Sequence, residues 1–226
     1  MARALIHAGF HKTGTTSLQA LFQAHRDRLA ANGYAVYAGH HNAANHVELH
    51  TYAMRDERRS PVKAGGLKVD AAYREAIAAK LAAFDAAHMA QTLLFSAEGV
   101  SLLRFPDEMA RLAALMPGRE LRFLFCQREK EAWRDSYRAQ HAHLIGDNPP
   151  ADDFTYLADD SWLLDFGARL GAFRAAFGAD AVHVIDYDAA TKRDGSIIPA
   201  MLDALGVTEA FAGVDLSDYF LNARGG

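Results

Sequence analysis

The feature that most constrains the fold is a glycine-rich stretch near the N-terminus, residues 9–16, which read GFHKTGTT. A short apolar run at residues 3–8 precedes it, and residues 15–33 follow with apolar side chains at helical spacing. An apolar strand that enters a glycine loop and leaves as a helix is typical of a β–α unit. The loop of such a unit directs backbone N–H groups and the positive end of the helix dipole at one point. The stretch therefore predicts an anion-binding site.

The same alternation of apolar runs and helical patterns continues along the chain. Strands are predicted at 3–8, 34–38, 91–98, 120–128 and 181–187. Helices are predicted at 15–33, 43–58, 70–90, 106–118, 130–145, 156–177 and 195–206. Alternating elements of this kind form a parallel sheet that helices cover on both faces. We therefore expect an α/β three-layer sandwich with a mainly parallel central sheet, and one domain over residues 1–226.

Charge and composition argue against several classes of function. A net charge of −4 and a pI of about 6.2 provide no basic field of the kind that binds nucleic acid. No run approaches the ~20 apolar residues that span a membrane, and the apolar start is too short for a signal peptide. The single cysteine, Cys126, allows no internal disulfide. We expect a cytoplasmic protein without a membrane span or a nucleic-acid partner.

The glycine loop keeps only part of the signature with which P-loop enzymes bind nucleotides, G-x-x-x-x-G-K-[ST]. Thr15 stands where that signature has its lysine, and the lysine of this loop, Lys12, lies earlier. The residues that can give close approach or hydroxyl donors to an anion are Gly9, Thr13, Gly14, Thr15, Thr16 and Ser17. A nucleotide-hydrolysing enzyme needs its lysine at the terminal phosphates. The displaced lysine therefore favours a different phosphate-bearing ligand.

Residues 7–19, HAGFHKTGTTSLQ, resemble the N-terminus of bacterial members of the sulfotransferase superfamily. That family uses 3′-phosphoadenosine 5′-phosphosulfate (PAPS) as its sulfonate donor, and its P-loop NTPase-like fold has the lysine inside the loop. The resemblance implies that Lys12 contacts the bridging oxygen and the sulfonate of PAPS. It also implies that the residues from Thr13 to Ser17 hold the 5′-phosphate.

A second stretch, FLFCQREKEAWRDSYRAQ at residues 123–140, supports this resemblance. In the family, an arginine at a strand end and a serine eight residues later hold the 3′-phosphate of the donor. The corresponding residues here are Arg128 and Ser136, and a guanidinium group suits bidentate binding of phosphate. The third donor element of the family is basic and glycine-rich, and residues 221–226, LNARGG, match it only loosely.

The residues expected to carry the chemistry are Lys12, Glu98 and His11. Sulfonate transfer needs a charge that stabilises the leaving phosphate, a role that fits Lys12, and a base that takes the acceptor's proton. Glu98 ends a predicted strand, and a partly buried carboxyl group there has a raised pKa that suits a base. His11 adjoins Lys12, and we expect it to shape the loop or contact the acceptor.

Two further histidines, His46 and His50, are four residues apart and are predicted to share a helix face. With His40 and His41 they form a local cluster, which we interpret as facing the acceptor, with His46 as an alternative base. No third ligand accompanies them, so no metal is expected to be required.

The sequence leaves two other functions open. One is an atypical P-loop kinase or nucleotide-binding protein, and the other is a sulfotransferase-like protein that transfers nothing. The acceptor is also open among carbohydrates, lipids and small molecules, since residues 40–70 and 140–160, which we expect to contact it, carry no specific pattern. Nothing in the sequence indicates the oligomeric state.

Overall fold

The predicted strands form a five-stranded sheet in a computed structural model of the protein, which describes residues 2–220. In chain order, strands β1 to β5 are Arg3–Gly9, Tyr34–Val36, Thr92–Ser96, Glu120–Gln127 and Val182–Asp186. They lie in the order β2-β3-β1-β4-β5, and each neighbouring pair is parallel. The predicted α/β class with a parallel sheet is confirmed.

Ten α-helices connect these strands within residues 2–220. In chain order, α1 to α10 are Thr15–Ala24, Arg26–Ala31, Glu48–Ala53, Pro61–Ala64, Ala71–Ala87, Pro106–Ala114, Lys130–His141, Phe166–Phe177, Tyr187–Asp194 and Ile198–Ala204. Short 3₁₀ turns, including one at Glu98–Leu102, join several of them. None of the helices among these residues is long and apolar enough to cross a membrane.

The helices pack on both faces of the sheet and complete three layers. Successive side chains of a strand point to opposite faces, so Ala4 and Ile6 pack into one core and Leu5 contacts the other. The first core includes side chains of α3, α5, α6, α7 and α8, and the second includes those of α1, α2 and α10. The three-layer, P-loop NTPase-like arrangement agrees with the sequence prediction.

The position of β1 between β3 and β4 brings three chain segments to one edge of the sheet. Beyond the strand end, the Phe10 N–H donates to the Cys126 carbonyl at 3.2 Å, and the Ala97 N–H donates to the His7 carbonyl at 2.8 Å. The segments that follow β1, β3 and β4 therefore meet where ligands of parallel sheets usually bind.

One predicted helix, 43–58, is much shorter in the structure, where only α3 is helical. The Asn42 side chain accepts hydrogen bonds from the N–H groups of Ala44 and Asn45 at 2.8 and 3.1 Å. Such asparagine turns compete with helix formation. His46 then donates its N–H to the Ser96 carbonyl at 2.8 Å, which attaches this segment to the end of β3.

Other helices also differ from prediction. The predicted helix 156–177 is α-helical only over α8, and α4 lies in a stretch for which no helix was predicted. The stretch 15–33 forms α1 and α2 with a break at His25. The sequence pattern did not predict α9, although it has recognisable ends: the Asp186 carboxylate accepts the Ala189 N–H at 2.9 Å, and Gly195 ends it with a φ of 71°. An aspartate cap at the end of an apolar strand was the available signal.

A buried ion pair attaches the loop after α3 to α6. Glu108 is fully buried, and its carboxylate accepts from Arg58 Nη1 at 2.7 Å. The same carboxylate accepts the backbone N–H groups of Arg55 and Arg104, each at 3.0 Å.

We expect Arg58→Ala to lower the free energy of unfolding by about 3–5 kcal/mol, because the Glu108 carboxylate would stay buried without its cation. As a control, Arg122→Ala removes only a more exposed pair with Glu120 and should cost at most ~1 kcal/mol. Urea unfolding of both variants measures this difference, and equal losses would contradict a special role for the buried pair.

Candidate active site

The loop between β1 and α1 has an unusual backbone. Gly9, Lys12 and Gly14 all have positive φ angles, of 100°, 65° and 86°. Glycine adopts this region freely, whereas a residue such as Lys12 pays about 1–2 kcal/mol. Strain of this kind is common at functional sites, where surrounding contacts hold it in place.

Two hydrogen bonds hold the loop in this conformation. The Thr13 hydroxyl donates to the Phe10 carbonyl at 2.5 Å, and Trp133 Nε1 of α7 donates to the His11 carbonyl at 2.8 Å. Because the Thr13 hydroxyl is used in this way and is fully buried, only its backbone N–H remains for an anion.

Helix α1 begins at Thr15, three residues after Lys12. Gly14 caps it without a side-chain hydrogen bond, so the first N–H groups of the helix lack intrahelical partners. Thr15 and Ser17 are buried at this end, while Thr16 and Lys12 are exposed. Backbone donors, hydroxyl groups and a lysine thus lie within residues 12–17 at the start of a helix, a combination that suits an anion.

Glu98 begins the 3₁₀ turn that follows β3 and lies against the glycine loop. A Cβ atom on Gly9 would lie 3.4 Å from the Cβ of Glu98, so these segments touch closely. Burial raises the pKa of the Glu98 carboxyl, and the Thr15 hydroxyl and the Lys12 charge act in the opposite direction. The structure therefore brings Lys12, Thr15 and Glu98 together.

A cavity of about 160 Å³ lies beside Glu98. Three of its lining residues are the buried histidines His11, His50 and His141. Burial lowers their pKa values to about 3, 3 and 4, respectively. All three imidazoles are therefore neutral at pH 7, and none has the pKa of a general base.

Arg128 and Ser136 lie on consecutive elements at the same sheet edge. Arg128 is half-buried directly after β4, and its guanidinium lies 5.4 Å from the centre of the Tyr187 ring. Ser136 is half-buried on the second turn of α7. A cavity of about 770 Å³ adjoins Arg128. Within residues 2–220 no hydrogen bond joins the two side chains, and no acidic residue forms an ion pair with Arg128.

Arg169, which the sequence reasoning missed, connects the parts of this site. It is 2% exposed and donates to the Ser101 carbonyl at 2.8 Å and to the Leu163 carbonyl at 2.7 Å. Its guanidinium carbon lies 4.3 Å from the centre of the Phe10 ring. The signal that could have revealed it is helical spacing: Arg169 follows Phe166 by three residues and precedes Phe173 by four, which places it on the apolar face of α8, whereas Arg174 is exposed.

His46 does not have the role that we predicted. Its Nδ1 accepts the Ser96 N–H at 3.0 Å, and burial lowers its pKa to about 4. It attaches its segment to β3, whereas His50, four residues later, lines the cavity. In the described part of the chain, no group of three or more His, Cys, Asp or Glu side chains is placed to hold a metal ion. The loosely matched segment 221–226 lies outside the described residues.

We expect Gly14→Ala to destabilise the protein more than Gly33→Ala. Both residues have similar positive φ angles, of 86° and 84°, but only at Gly14 would a Cβ atom meet a neighbour, Ile197 Cγ2, at 2.5 Å. The backbone strain of about 1–2 kcal/mol is common to both, and the clash should add about 1–3 kcal/mol. Thermal or urea unfolding compares the two variants, and equal destabilisation would mean that the loop does not pack against Ile197.

No family model and no curated protein matches this sequence. Among solved structures, the chain is similar to a sulfotransferase from Alicyclobacillus acidocaldarius, at 15% identity and a TM-score of 0.52, over 96% of this chain and 83% of that one. The sulfotransferase domain from the curacin biosynthetic pathway is 14% identical over 100% of this chain and 78% of that chain, but its TM-score of 0.47 is too low to support an inference. At such identities the similarity concerns the fold. The chain therefore has the α/β fold of a bacterial sulfotransferase, as its glycine loop and strand-end motif implied.

Proposed function

We propose that this protein is a sulfotransferase that moves a sulfonate group from PAPS to a hydroxyl or amine group of an acceptor. The observation that carries the proposal is the close packing of Glu98, after β3, against Gly9 of the loop that also contains Lys12 and Thr15. A cation inside an anion-binding loop and a half-buried carboxyl group beside it are the two groups that this reaction needs.

The donor would lie along the carboxyl ends of β1 and β4. The backbone N–H groups and hydroxyls of the glycine loop and α1 would hold its 5′-phosphate, through Gly9, Lys12, Thr13, Gly14, Thr15, Thr16 and Ser17. Arg128 and Ser136 would hold the 3′-phosphate. The half-buried Arg128 guanidinium forms no ion pair with an acidic side chain among residues 2–220, which leaves its charge available for an anion.

The transfer step is a displacement at sulfur. The acceptor oxygen or nitrogen forms a bond to sulfur, and the bond between sulfur and the bridging oxygen breaks. The electron pair of that bond remains on the 5′-phosphate, where the exposed Lys12 ammonium neutralises the new charge. The acceptor's proton passes to the Glu98 carboxylate, whose raised pKa favours accepting it.

His11 takes a different part from Glu98 in this scheme. Its pKa of about 3 means that it stays neutral and accepts no proton near pH 7. Its carbonyl holds α7 through Trp133, and its side chain lines the cavity beside Glu98. It would shape the loop and contact the acceptor, which is a carbohydrate, a lipid or a small molecule.

Adenosine 3′,5′-bisphosphate, the spent donor, should raise the melting temperature more than ATP with magnesium does. A ligand at a hundred times its Kd stabilises a protein by about 2.7 kcal/mol. Lys12→Ala and Arg128→Ala should each weaken binding by about tenfold or more, since each removes a charged hydrogen bond.

Lys68→Ala is the matched control, because Lys68 is exposed and forms its ion pair with Asp70, away from the glycine loop. It should leave the bisphosphate effect unchanged. Equal or greater stabilisation by ATP with magnesium would favour the kinase alternative and contradict this proposal. Bisphosphate binding without transfer of labelled sulfonate to any hydroxyl or amine acceptor would favour a non-catalytic protein.

Glu98→Gln should abolish transfer and yet stabilise the protein at neutral pH. The pKa of Glu98 is higher in the folded protein than its ordinary value of 4.5, so ionisation of Glu98 costs folding free energy. That cost grows as the pH rises from the ordinary pKa to the raised one, and it is complete above the raised pKa. Below the ordinary pKa the carboxyl is neutral in both states, and the gain from glutamine should disappear.

Urea unfolding of the wild type and of Glu98→Gln across this pH range measures the effect. Glu75→Gln is the control, because Glu75 is exposed on α5 and its replacement should give no pH-dependent gain. A loss of stability in Glu98→Gln at neutral pH would mean that Glu98 serves an ion pair and is not poised as a base.

A further inference from the structure

We propose that the cavity beside Glu98 binds an uncharged ring that carries several hydroxyl groups and has about the size of one sugar unit. One hydroxyl of this ring would receive the sulfonate. The transfer rests on the proposed function, whereas the binding rests on the cavity itself.

The size of the cavity suits a ring. Its volume is about 160 Å³, and an engineered cavity of about 150 Å³ in another protein holds benzene. Part of the wall is apolar and consists of Val47, Pro61, Val62 and Leu102. Such a surface packs well against the C–H groups of a ring, which short linear polyols do not present as one face.

The rest of the wall has hydrogen-bonding capacity that the protein itself does not use. Four lining residues each have a buried polar atom without a partner among the described residues: His11 Nδ1, Asn45 Oδ1, His50 Nδ1 and His141 Nε2. Each such atom costs about 1–3 kcal/mol when it stays unpaired. A small rotation of an imidazole about χ2, which is a soft torsion, brings a nitrogen toward the cavity. A ligand with several hydroxyls would satisfy several of these atoms at once.

The charges around the cavity favour a neutral ligand. Lys12, Lys63, Arg58 and Arg169 are the cations whose fields reach the three histidines, and they would repel an ammonium group. Glu98 is the acidic residue that lines the cavity, and none of these four cations is among the lining residues. An ionised Glu98 would therefore repel a carboxylate at shorter range than the cations attract it. A hydroxyl group can both donate and accept hydrogen bonds, as a neutral imidazole can, so the two groups are suitable partners.

The cavity wall is closely packed at Gly99. A Cβ atom there would lie 2.3 Å from Nδ1 of His50, so the His50 ring packs directly on the glycine. The other nitrogen of this ring, Nε2, lies 3.3 Å from the Ser60 hydroxyl. Any side chain at position 99 must therefore push His50 into the cavity or out of its place.

Four rings of similar size test the proposal: myo-inositol, cyclohexanol, cyclohexylammonium and cyclohexanecarboxylate. Saturation-transfer NMR with the full chain at pH 7 measures their binding. Myo-inositol should bind at least about tenfold tighter than the two charged rings, and tighter than cyclohexanol, because it alone satisfies several wall groups. Equal or tighter binding of either charged ring would overturn the proposal, and so would equal binding of cyclohexanol.

Two variants locate the bound ring. Gly99→Ala should weaken myo-inositol binding by about tenfold or more, while the control Gly171→Ala, where a Cβ atom meets nothing within 4 Å, should not. His141→Phe keeps an aromatic ring beside Tyr137 and Phe154 but removes the nitrogens, and it should also weaken myo-inositol binding. This second variant tests the proposal even if Gly99→Ala fails to fold. Unchanged binding in both folded variants would mean that the ring binds elsewhere.

A separate measurement distinguishes failure of this proposal from failure of the proposed function. The melting-temperature shift with adenosine 3′,5′-bisphosphate should survive in Gly99→Ala and His141→Phe, because neither residue is at the donor loop. Bisphosphate binding without selective binding of myo-inositol overturns the ring proposal and leaves the donor site standing. Selective binding of myo-inositol without bisphosphate binding supports ring binding in the cavity and contradicts the assignment of the donor site.

Discussion

The rest of the site depends on one buried cation, Arg169. It has no carboxylate partner among the described residues; its charge is instead balanced by the carbonyl dipoles of Ser101 and Leu163 and by the face of Phe10. A buried charge is costly unless its hydrogen bonds are satisfied, and burial lowers the pKa of Arg169 to about 9, which still leaves it charged at pH 7. Because its partners lie on the glycine loop, on the turn after β3 and before α8, any displacement of one of these segments would leave the guanidinium unpaired. The arginine thus fixes the distance between the segment that carries Lys12 and the segment that carries Glu98.

This arrangement separates two kinds of titratable group in a small space. The same burial that raises the pKa of Glu98 lowers those of His11 and His50, because a dry environment disfavours whichever form is charged. The result is a site in which the carboxyl group accepts protons readily and the imidazoles remain neutral hydrogen-bonding groups. A protonated imidazole here would compete with Lys12 for the same anion. Burial, and not the choice of residue types alone, therefore separates the proposed base from the histidines of the proposed binding wall.

Sequence reasoning worked where one residue type had a unique physical role. Glycines before and after Lys12 predicted the loop because few other residues adopt its backbone conformation. Asp70 predicted the start of α5, and its carboxylate accepts the Tyr73 N–H of that helix at 2.9 Å. Glu98 was placed at the sheet edge because the apolar run before it ends there. Reasoning failed where long-range contacts decide. Nothing local indicates that His46 bonds to β3 while His50 lines a cavity, because the residues that they contact, Ser96 and Gly99, lie far along the chain. Arg169 was hidden for the same reason, because the Ser101 carbonyl and the Phe10 ring that it contacts are distant in sequence.

The order of the parallel strands determines when the glycine loop can form during folding. β1 has no hydrogen-bonded neighbour until β3 is available and lacks its second neighbour until β4 is, since His7 pairs with Ser96 and Ile6 with Phe123. The glycine loop also packs against Ile197, far along the chain. Although the loop is encoded near the beginning of the sequence, its geometry is therefore among the last things that a growing chain can complete, because closing such distant contacts is slow. A nascent chain that has emerged only as far as α6 contains every glycine, lysine and threonine of the loop and cannot yet hold them in place.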